Sequence, residues 1–238
     1  IIKDQLAVRI AGVYNKDEID GLESVNGAGR ENRKTNSYRG SLRWTPTQAL
    51  DVNFAYQHLQ TKQHNLVQVE GDGLMTIGAP PAFPFGPAIS GGDRLAVQEG
   101  RNSINQDSDI YTLNVAYEFG KARVVYNGAL QDNSFDALVD LDAMNAVSNY
   151  TQDQVTVSKY KVNTQEIRLE SMEPVSNFDY TLGLWYQKEK TNSVSGQGNP
   201  LFGACGFSPV GPVDPAYDLQ SLALIPTNDT NTAIYGNL

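Results

Sequence analysis

Two histidines are the first residues of this chain whose type and spacing suit a metal or haem site. His58 and His64 lie six residues apart at the start of a long polar segment. Imidazole is a common ligand of transition metals and of haem iron, but two side chains need further ligands to hold either. We interpret His58 as an outward-facing residue near an interface and His64 as a solvated loop residue, and we predict no metal site.

The aspartates at 132, 136, 140 and 142 are a second chemical cluster. Carboxylates are calcium ligands, but this stretch lacks the glycine and the spacing of a calcium-binding loop. A solvated acidic loop is the favoured interpretation. The single cysteine, Cys205, has no internal disulfide partner, so it is either an unpaired loop thiol or paired outside this chain.

Motifs of enzymes and of nucleic-acid binding are absent from the sequence. It contains no G-x-S-x-G, no H-E-x-x-H and no glycine-rich phosphate loop, so we predict that the protein is not an enzyme and needs no cofactor. Asp and Glu number 27 against 18 Lys and Arg, which gives a formal net charge of −9. That balance argues against nucleic acid as a partner, because phosphate binding needs a basic stripe.

The elements that would carry these residues show alternating hydrophobicity. In Ser41–Gln60, two alternating runs are joined by the turn Pro46–Ala49, with Leu42 and Trp44 opposite Arg43 in the first run. A period of two residues indicates a β-strand. Similar runs occur at 6–14, 38–45, 50–60, 109–119, 121–131, 165–172, 178–188 and from 232 onwards. The segment Asp136–Ala146 is the one weak helix candidate.

The connections between these strands alternate strictly between short and long. Short turns are predicted at Pro46–Ala49, around Gly120 and at Glu173–Asn177. Long polar loops are predicted at Asn15–Asn36, Thr61–Asp107, Asp132–Thr164 and Glu189–Asn231. An up-and-down sheet would collect the turns at one edge and the loops at the other. Compact soluble domains rarely carry several structureless loops longer than about 12–15 residues, whereas outer-membrane barrels do so routinely.

Aromatic residues mark both ends of the predicted strands. Trp44, Phe119 and Phe178 lie near the short turns, and the long-loop ends carry Tyr14, Tyr38, Tyr56, Tyr111 and Tyr186. Aliphatic residues occupy the levels between them. Amphipathic rings are most stable at the boundary between hydrocarbon and headgroups. The pattern predicts a barrel wall with one face against lipid and the other against a wet or protein-filled lumen. A β-sandwich also alternates and stays an alternative.

Two hairpins resemble those of TonB-dependent outer-membrane receptors. They read SYRGSLRWTPTQALDVNFAYQHLQ and QEIRLESMEPVSNFDYTLGLWYQKEKT. The start, QLAVRIAGVYNKDEIDG, and the end, NTAIYGNL, are similar to further strands of the same barrels. The likeness covers most strands but not the loops. It therefore indicates the class of protein far better than the ligand.

The resemblance implies a 22-stranded barrel with an N-terminal plug in the outer membrane of a Gram-negative bacterium. Members of the family import ferric siderophores, vitamin B12, haem or oligosaccharides with energy from the TonB complex. On this basis residues 1–238 are expected to form one partial, all-β, antiparallel up-and-down transmembrane barrel domain of about eight strands, truncated at both ends. The expected partners are outer-membrane lipid, a ligand such as a ferric siderophore, and TonB through the missing plug.

The polar face and the loops are the predicted functional surfaces. Alternating charges would pair with the plug or with each other across the wall: Arg9, Arg39, Arg43, Arg123 and Arg168 with Asp51, Glu118, Glu166, Glu170 and Asp179. Ligand contacts are expected from loops, where Phe83, Phe85 and His64 are weak candidates. Their loop could equally be a rigid lid. Two alternatives stay open: a complete eight-stranded barrel with a structural or adhesive role, and a soluble β-sandwich that binds carbohydrate.

Overall fold

A computed structural model describes residues 5–68, 74–75, 83–84, 89–100, 102–141, 153–173, 179–198 and 219–237. For 74–75, 83–84 and 219–222 it describes the backbone alone. Within these ranges all regular structure is β. The described part of the chain contains no helix of the length and hydrophobicity needed to cross a bilayer.

Eight long strands build one antiparallel sheet in which each strand pairs with the next long strand along the chain. They are β1 (Leu6–Asp17), β3 (Asn32–Thr47), β4 (Leu50–Asn65), β8 (Asn102–Phe119), β9 (Ala122–Asp140), β10 (Asp153–Ser171), β11 (Thr181–Gly198) and β12 (Leu219–Asn237). The predicted all-β, up-and-down arrangement is therefore confirmed. The sheet is open, because β1 and β12 form its two edges and do not pair with each other.

Four short strands lie among the connections. β2 (Glu23–Ser24) pairs in parallel with β7 (Leu95–Ala96), and β5 (Leu74–Met75) pairs in antiparallel fashion with β6 (Phe83–Pro84). The β2–β7 pair joins two segments that are far apart in the sequence. Both segments lie at the edge of the sheet that carries the long connections, which we call the long-loop edge.

The tight-turn edge is the opposite one. The turn between β3 and β4 contains Gln48 and Ala49, close to the predicted position. Gly120 adopts a φ of 59° in the turn between β8 and β9, in the left-handed region that glycine enters without a steric penalty. The middle of the third predicted turn, residues 174–178, lies outside the described residues.

The strands are longer than the hydrophobic alternation predicts. β9 continues to Asp140 and β10 begins at Asp153, so most of the predicted Asp132–Thr164 loop is a strand pair. The weak helix candidate Asp136–Ala146 is wrong over 136–140, which belong to β9. Near the long-loop edge both faces of the hairpins carry many polar residues. The alternation of apolar and polar residues is therefore lost there, although the backbone pairing continues.

The sheet is a single layer as far as the chain is described. Its large apolar side chains are not covered by another element, and many remain 37% to 83% exposed. The cluster of buried apolar residues among the described ones lies in the connections: Leu22, Ala28, Leu66 and Ala96. The protein therefore lacks, within these ranges, the shared core between two layers that a β-sandwich requires.

Gly183 allows a tyrosine to cross the polar face of the sheet. The Tyr235 ring on β12 lies over Gly183 on β11, and its hydroxyl donates a hydrogen bond to the Glu166 carboxylate on β10. A Cβ atom at position 183 would lie 2.2 Å from Cζ of Tyr235. Glycine is therefore required here by close approach and not by backbone conformation.

The variant Gly183→Ala is expected to displace Tyr235 and break its hydrogen bond to Glu166. We expect a loss of about 1–3 kcal/mol in the free energy of unfolding, the usual range for overpacking. Gly40→Ala is the matched control, because nothing lies within 4 Å of a Cβ built at Gly40. Equilibrium urea unfolding measures both. Equal stability of the two variants would contradict this account of Gly183.

Candidate functional site

The two faces of the sheet differ in chemistry, and we name them the apolar face and the polar face. The apolar face carries large side chains that are at least a third exposed: Val8, Ile10, Tyr14, Tyr38, Trp44, Phe54, Tyr111, Leu113, Tyr117, Phe119, Leu130, Ile167, Leu182, Leu184 and Ile234. Cross-strand register places them on one side, as in the row Leu6, Trp44, Val52, Val115, Tyr126, Ile167, Leu184 and Ile234. They form one continuous band.

Stacked rings lie along the upper limit of this band, on the side of the long-loop edge. Tyr56 stacks on Tyr111 with centroids 4.7 Å apart, and Tyr38 stacks on His58 at 4.9 Å. The Tyr56 hydroxyl donates to Asp109 at 2.6 Å, and Nδ1 of His58 lies 2.9 Å from the same carboxylate oxygen. The ring bodies thus join the apolar band while their polar atoms face the long-loop edge. This orientation is typical of a membrane interface.

The upper limit of the band can be defined on every strand. We follow the apolar face of each strand from the tight-turn edge toward the long-loop edge. The limit is the last apolar residue before the first polar residue on that face. These limit residues are Tyr14, Tyr38, Tyr56, Tyr111, Leu130, Ile167, Tyr186 and Ile234. The residue that follows on the same face is polar in every case, for example Lys16 after Tyr14 and Lys188 after Tyr186.

The limit runs obliquely across the hydrogen-bonded rows. Following the paired residues from strand to strand across the sheet, the limit residue of β1, Tyr14, is in register with Pro226 on β12. The limit residue of β12 itself is Ile234, which lies eight residues nearer the tight-turn edge. At about 3.3 Å per residue, eight residues are a shift of roughly 26 Å along the strand direction. At about 4.8 Å between neighbouring strands, the distance across the sheet from β1 to β12 is roughly 34 Å. A level band therefore requires strands tilted by about 40°, within the range of about 35–45° for transmembrane barrels.

The length of the band fits the same geometry. On β8 it runs from Tyr111 to Phe119, nine residues with an aromatic ring at each end. That is about 26 Å along the strand and about 20 Å along the normal at such a tilt. A transmembrane strand needs about 9–11 residues.

The polar face carries a groove of about 360 Å³ lined in part by three arginines. Arg43 pairs with Asp51 at 2.6 Å, and neither Arg9 nor Arg39 forms an ion pair with a described residue. The remaining lining includes Asn53 on β4 and uncharged residues of β8. Guanidinium groups in such a setting suit carboxylates or phosphates, whether from a ligand or from another protein segment.

Side-chain contacts link three strands, β8, β9 and β10, nearer the tight-turn edge of the polar face. Asn114 donates to Asn127 at 2.8 Å, and Asn127 donates to Glu166 at 2.9 Å. Arg168 lies 3.4 Å from Glu170, which also pairs with Arg123 at 2.7 Å. Six of the ten charges predicted to face the lumen therefore pair with each other, across neighbouring strands or along β10. Arg9, Arg39, Glu118 and Asp179 form no ion pair with a described residue.

A small cap at the long-loop edge is organised by a buried carboxylate. Glu31 is 4% exposed, and its two oxygens accept hydrogen bonds from the backbone N–H groups of Asp20, Leu22 and Leu66 at 3.0 to 3.4 Å. Leu22 and Leu66 belong to the buried apolar cluster. One side chain thus satisfies buried donors from two separate connections and holds them together.

The buried side chain of Gln98 and the partly buried ring of His64 complete this cap. Gln98 is fully buried, and its Oε1 accepts from the Val67 N–H at 2.6 Å. The ring nitrogens of His64 lie 2.9 Å from the Asn102 carbonyl oxygen and 3.0 Å from that of Ala28. A neutral imidazole donates one of these hydrogen bonds and an imidazolium both. The prediction that His64 is a solvated loop residue is wrong, because His64 lies in β4 and its ring contacts the backbone of Ala28 and Asn102.

The other predicted ligand contacts are only partly within the described structure. Phe83 lies in β6, where only its backbone is described, opposite Met75. Phe85 and Cys205 lie outside the described residues. His58 and His64 share one face of β4 but stand six residues apart, about 20 Å along the strand. They do not form one site.

The aspartates expected in a solvated loop lie in β9 instead. Asp132 pairs with Lys161 at 2.5 Å, and Asp140 is buried and accepts from the Gly100 N–H at 3.1 Å. Asp136 stands between them on the same face, and Asp142 is outside the described residues. Because they are spaced four residues apart along one strand, the carboxylates of Asp132, Asp136 and Asp140 do not come together. Within the described ranges no three His, Cys, Asp or Glu side chains are grouped to hold a metal ion.

Asp153 begins β10 opposite Asp140. Burial raises the pKa of Asp153, and the neighbouring Asp140 carboxylate raises it further. Because the pKa in the folded state lies above the unfolded value, the folded state favours the protonated carboxyl. This end of the β9–β10 pair therefore loses stability as pH rises through that raised pKa.

Sequence reasoning missed the cap residues Glu31 and Gln98. No local signal identifies them, because both sit in polar segments and their burial arises from contacts between the connection after β1 and the one after β4. No protein-family model matches the chain, and no curated protein is detectably similar to it. The functional assignment therefore depends on the geometry of the sheet and on the resemblance of its hairpins.

The variant Glu31→Ala is expected to open the cap, because three backbone donors lose their acceptor and buried unsatisfied donors cost about 1–3 kcal/mol each. Hydrogen exchange at Leu22 and Leu66 should rise at least tenfold, while exchange in β9 and β10 stays unchanged. Glu18→Ala, a charge-matched exposed change in the same connection, is the control. Unchanged protection at Leu22 and Leu66 would contradict the role given to Glu31.

Proposed function

We propose that this chain is part of the wall of a TonB-dependent receptor barrel in the outer membrane of a Gram-negative bacterium. The observation that carries the proposal is the uncovered apolar face, whose upper limit is marked by a tyrosine on five of the eight strands. In this arrangement lipid acyl chains solvate the apolar face. The long-loop edge faces the outside of the cell, and the short turns face the periplasm.

The energetics favour lipid over water on this face. Fifteen large apolar side chains are at least a third exposed. At about 0.75–1.5 kcal/mol for each half-exposed side chain, the penalty in water is roughly 11–22 kcal/mol. That is comparable to the whole net stability of a typical domain, about 5–15 kcal/mol. A bilayer removes the penalty and leaves the backbone hydrogen bonds paired within the sheet, as a membrane-spanning strand requires.

The transport activity follows from the resemblance of the hairpins and fits the polar face. We propose that the complete barrel takes up a scarce ligand, a ferric siderophore first and otherwise vitamin B12, haem or an oligosaccharide. Arg9 and Arg39 offer guanidinium groups to the lumen without ion-pair partners in the described sheet. They suit a plug segment or an anionic ligand. TonB would act through the plug.

The alternatives require features that the described residues do not form. A complete eight-stranded barrel requires β1 to pair with β12, and these strands are the free edges of the sheet. A soluble carbohydrate-binding sandwich requires a second layer over the apolar face. Open edges need partners, because unpaired backbone groups are not stable in hydrocarbon. Further strands of a larger barrel would supply them.

Arginine substitutions on the two faces of β8 test the placement in the membrane. Leu113→Arg is expected to reduce folding into lipid vesicles by about 2–4 kcal/mol, since this residue sits near the middle of the apolar band. Thr112→Arg, its neighbour on the polar face, should fold normally. Heat-modifiable migration on gels after refolding of the full-length protein measures insertion. Equal tolerance of both variants would show that the apolar face does not meet lipid.

Uptake tests the proposed ligand class. Cells that make the full-length protein are expected to accumulate radioactive iron supplied as a ferric siderophore, and accumulation should stop when the proton motive force is collapsed. Cells without the protein are the control for other routes. If vitamin B12, haem or an oligosaccharide is taken up instead, the siderophore assignment is wrong and the transport class stands. Absence of energy-dependent uptake for all four ligand classes would contradict the transport proposal.

A further inference from the structure

Lysine and arginine are segregated by face in the eight long strands. Every lysine in these strands lies on the apolar face: Lys16, Lys34, Lys62, Lys159, Lys161, Lys188 and Lys190. Every arginine lies on the polar face: Arg9, Arg33, Arg39, Arg43, Arg123 and Arg168. We call the seven lysines the lysine girdle.

The girdle sits just beyond the upper limit of the apolar band. Its members lie two to eight residues past the limit residue of their own strand, and all except Lys188 are exposed. They form two clusters. Lys16, Lys34 and Lys62 are directly opposite one another on β1, β3 and β4. Lys161 and Lys190 are opposite one another on β10 and β11, with Lys159 and Lys188 beside them.

Like charges directly opposite each other destabilise a strand pair, so both clusters call for a counter-charge. Lys161 pairs with Asp132 at 2.5 Å. No described carboxylate forms an ion pair with the other six lysines. Near the first cluster the acids are engaged elsewhere: Asp109 with Tyr56 and His58, and Asp107 with Gln60 at 2.8 Å. Near the second cluster, Asp136 is diagonal to Lys159 across β9 and β10 and forms no ion pair with a described residue. The uncompensated positive charge is therefore greatest at the first cluster, in a chain whose net charge is −9.

A long cationic side chain such as lysine suits this height in a bilayer. Its aliphatic stem lies along apolar surface while its ammonium reaches the headgroups. A groove of about 400 Å³ on this face shows both properties. Tyr111 and Leu130 line it from the band, and Lys161, Lys188 and Lys190 line it from the girdle. Asp132 also lines it and pairs with Lys161, which leaves Lys188 and Lys190 without an ion-pair partner among the described residues. This chemistry fits an acyl chain against the apolar residues with a phosphate at the two lysines.

The face becomes aliphatic again beyond the second cluster. Val155, Val157, Val194 and Leu224 lie there, next in the sequence to the segments 142–152 and 199–218, which are outside the described residues. On β10 and β11 the lysines therefore lie between two apolar regions of the same face. On β1 to β4 they are followed by the cap.

We propose that the lysine girdle binds the headgroup phosphates of anionic lipids in the leaflet at the long-loop edge. The inference rests on the proposed function, because it requires the apolar band to lie in a bilayer. Each cluster places several ammonium groups around one phosphate and removes the repulsion between opposed lysines. Lipid held in this way would fix the height of the barrel in the membrane.

The test uses the full-length protein in nanodiscs of phosphatidylcholine with one-tenth phosphatidic acid, and counts retained anionic lipid by native mass spectrometry. Lys16→Gln/Lys34→Gln is compared with Arg9→Gln/Arg39→Gln, which removes the same charge from the same two strands on the polar face. We expect roughly 30-fold weaker retention at the first cluster for the lysine pair, at about fivefold per lysine. The arginine pair should retain lipid as the unaltered protein does. The variant Lys16→Arg/Lys34→Arg keeps both positive charges and should retain lipid as the unaltered protein does.

Three outcomes would overturn the proposal: equal retention by the lysine and arginine pairs, equal retention of phosphatidylcholine and phosphatidic acid, or displacement of the lipid by millimolar inorganic phosphate. The proposed function fails separately, if the unaltered protein does not enter the nanodisc. If the protein inserts and the lysine pair retains lipid normally, only the lipid inference is lost.

Discussion

Solvation of one apolar sheet face is the constraint on which the rest of this structure depends. The described chain forms a single layer, so nothing within it covers Leu113, Leu184 and their neighbours on that face. In water the exposure of this surface would cost a free energy comparable to the net stability of a typical domain. In hydrocarbon it is favourable, provided that every backbone N–H and C=O is paired within the sheet. Long antiparallel hairpins meet that condition everywhere except at the two free edges.

The charged residues are arranged in accordance with the same constraint. Arginines and their carboxylate partners face away from the apolar band, where planar guanidinium groups form networks such as Arg123–Glu170–Arg168. Lysines stand on the side of the band but beyond its limit. The two cations differ physically, since arginine makes several directed hydrogen bonds and lysine is a point charge on a flexible stem. On the proposed placement in a bilayer, their segregation matches a wet, protein-like environment on one face and a headgroup layer on the other.

Order at the long-loop edge depends on buried polar groups more than on apolar area. Glu31, His64 and Gln98 hold the connections together through hydrogen bonds to backbone groups. The apolar cluster beside them has four members. Buried polar side chains of this kind require specific geometry, because an unmade hydrogen bond costs more than a made one contributes. The cap therefore ties the connection after β1 to the connection after β4 at this edge of the sheet.

The sequence by itself determined the strands wherever one face meets an apolar environment, because alternation then has a period of two. It therefore predicted the eight strands, their up-and-down order and the aromatic limits at Trp44, Tyr56 and Tyr111. It did not predict the extension of β9 through Asp140 or the roles of Glu31 and His64. Those features depend on backbone pairing between polar strands and on contacts between distant segments, neither of which leaves a local pattern. Only cross-strand register could show that the band limit is oblique, since the tilt is a relation between strands.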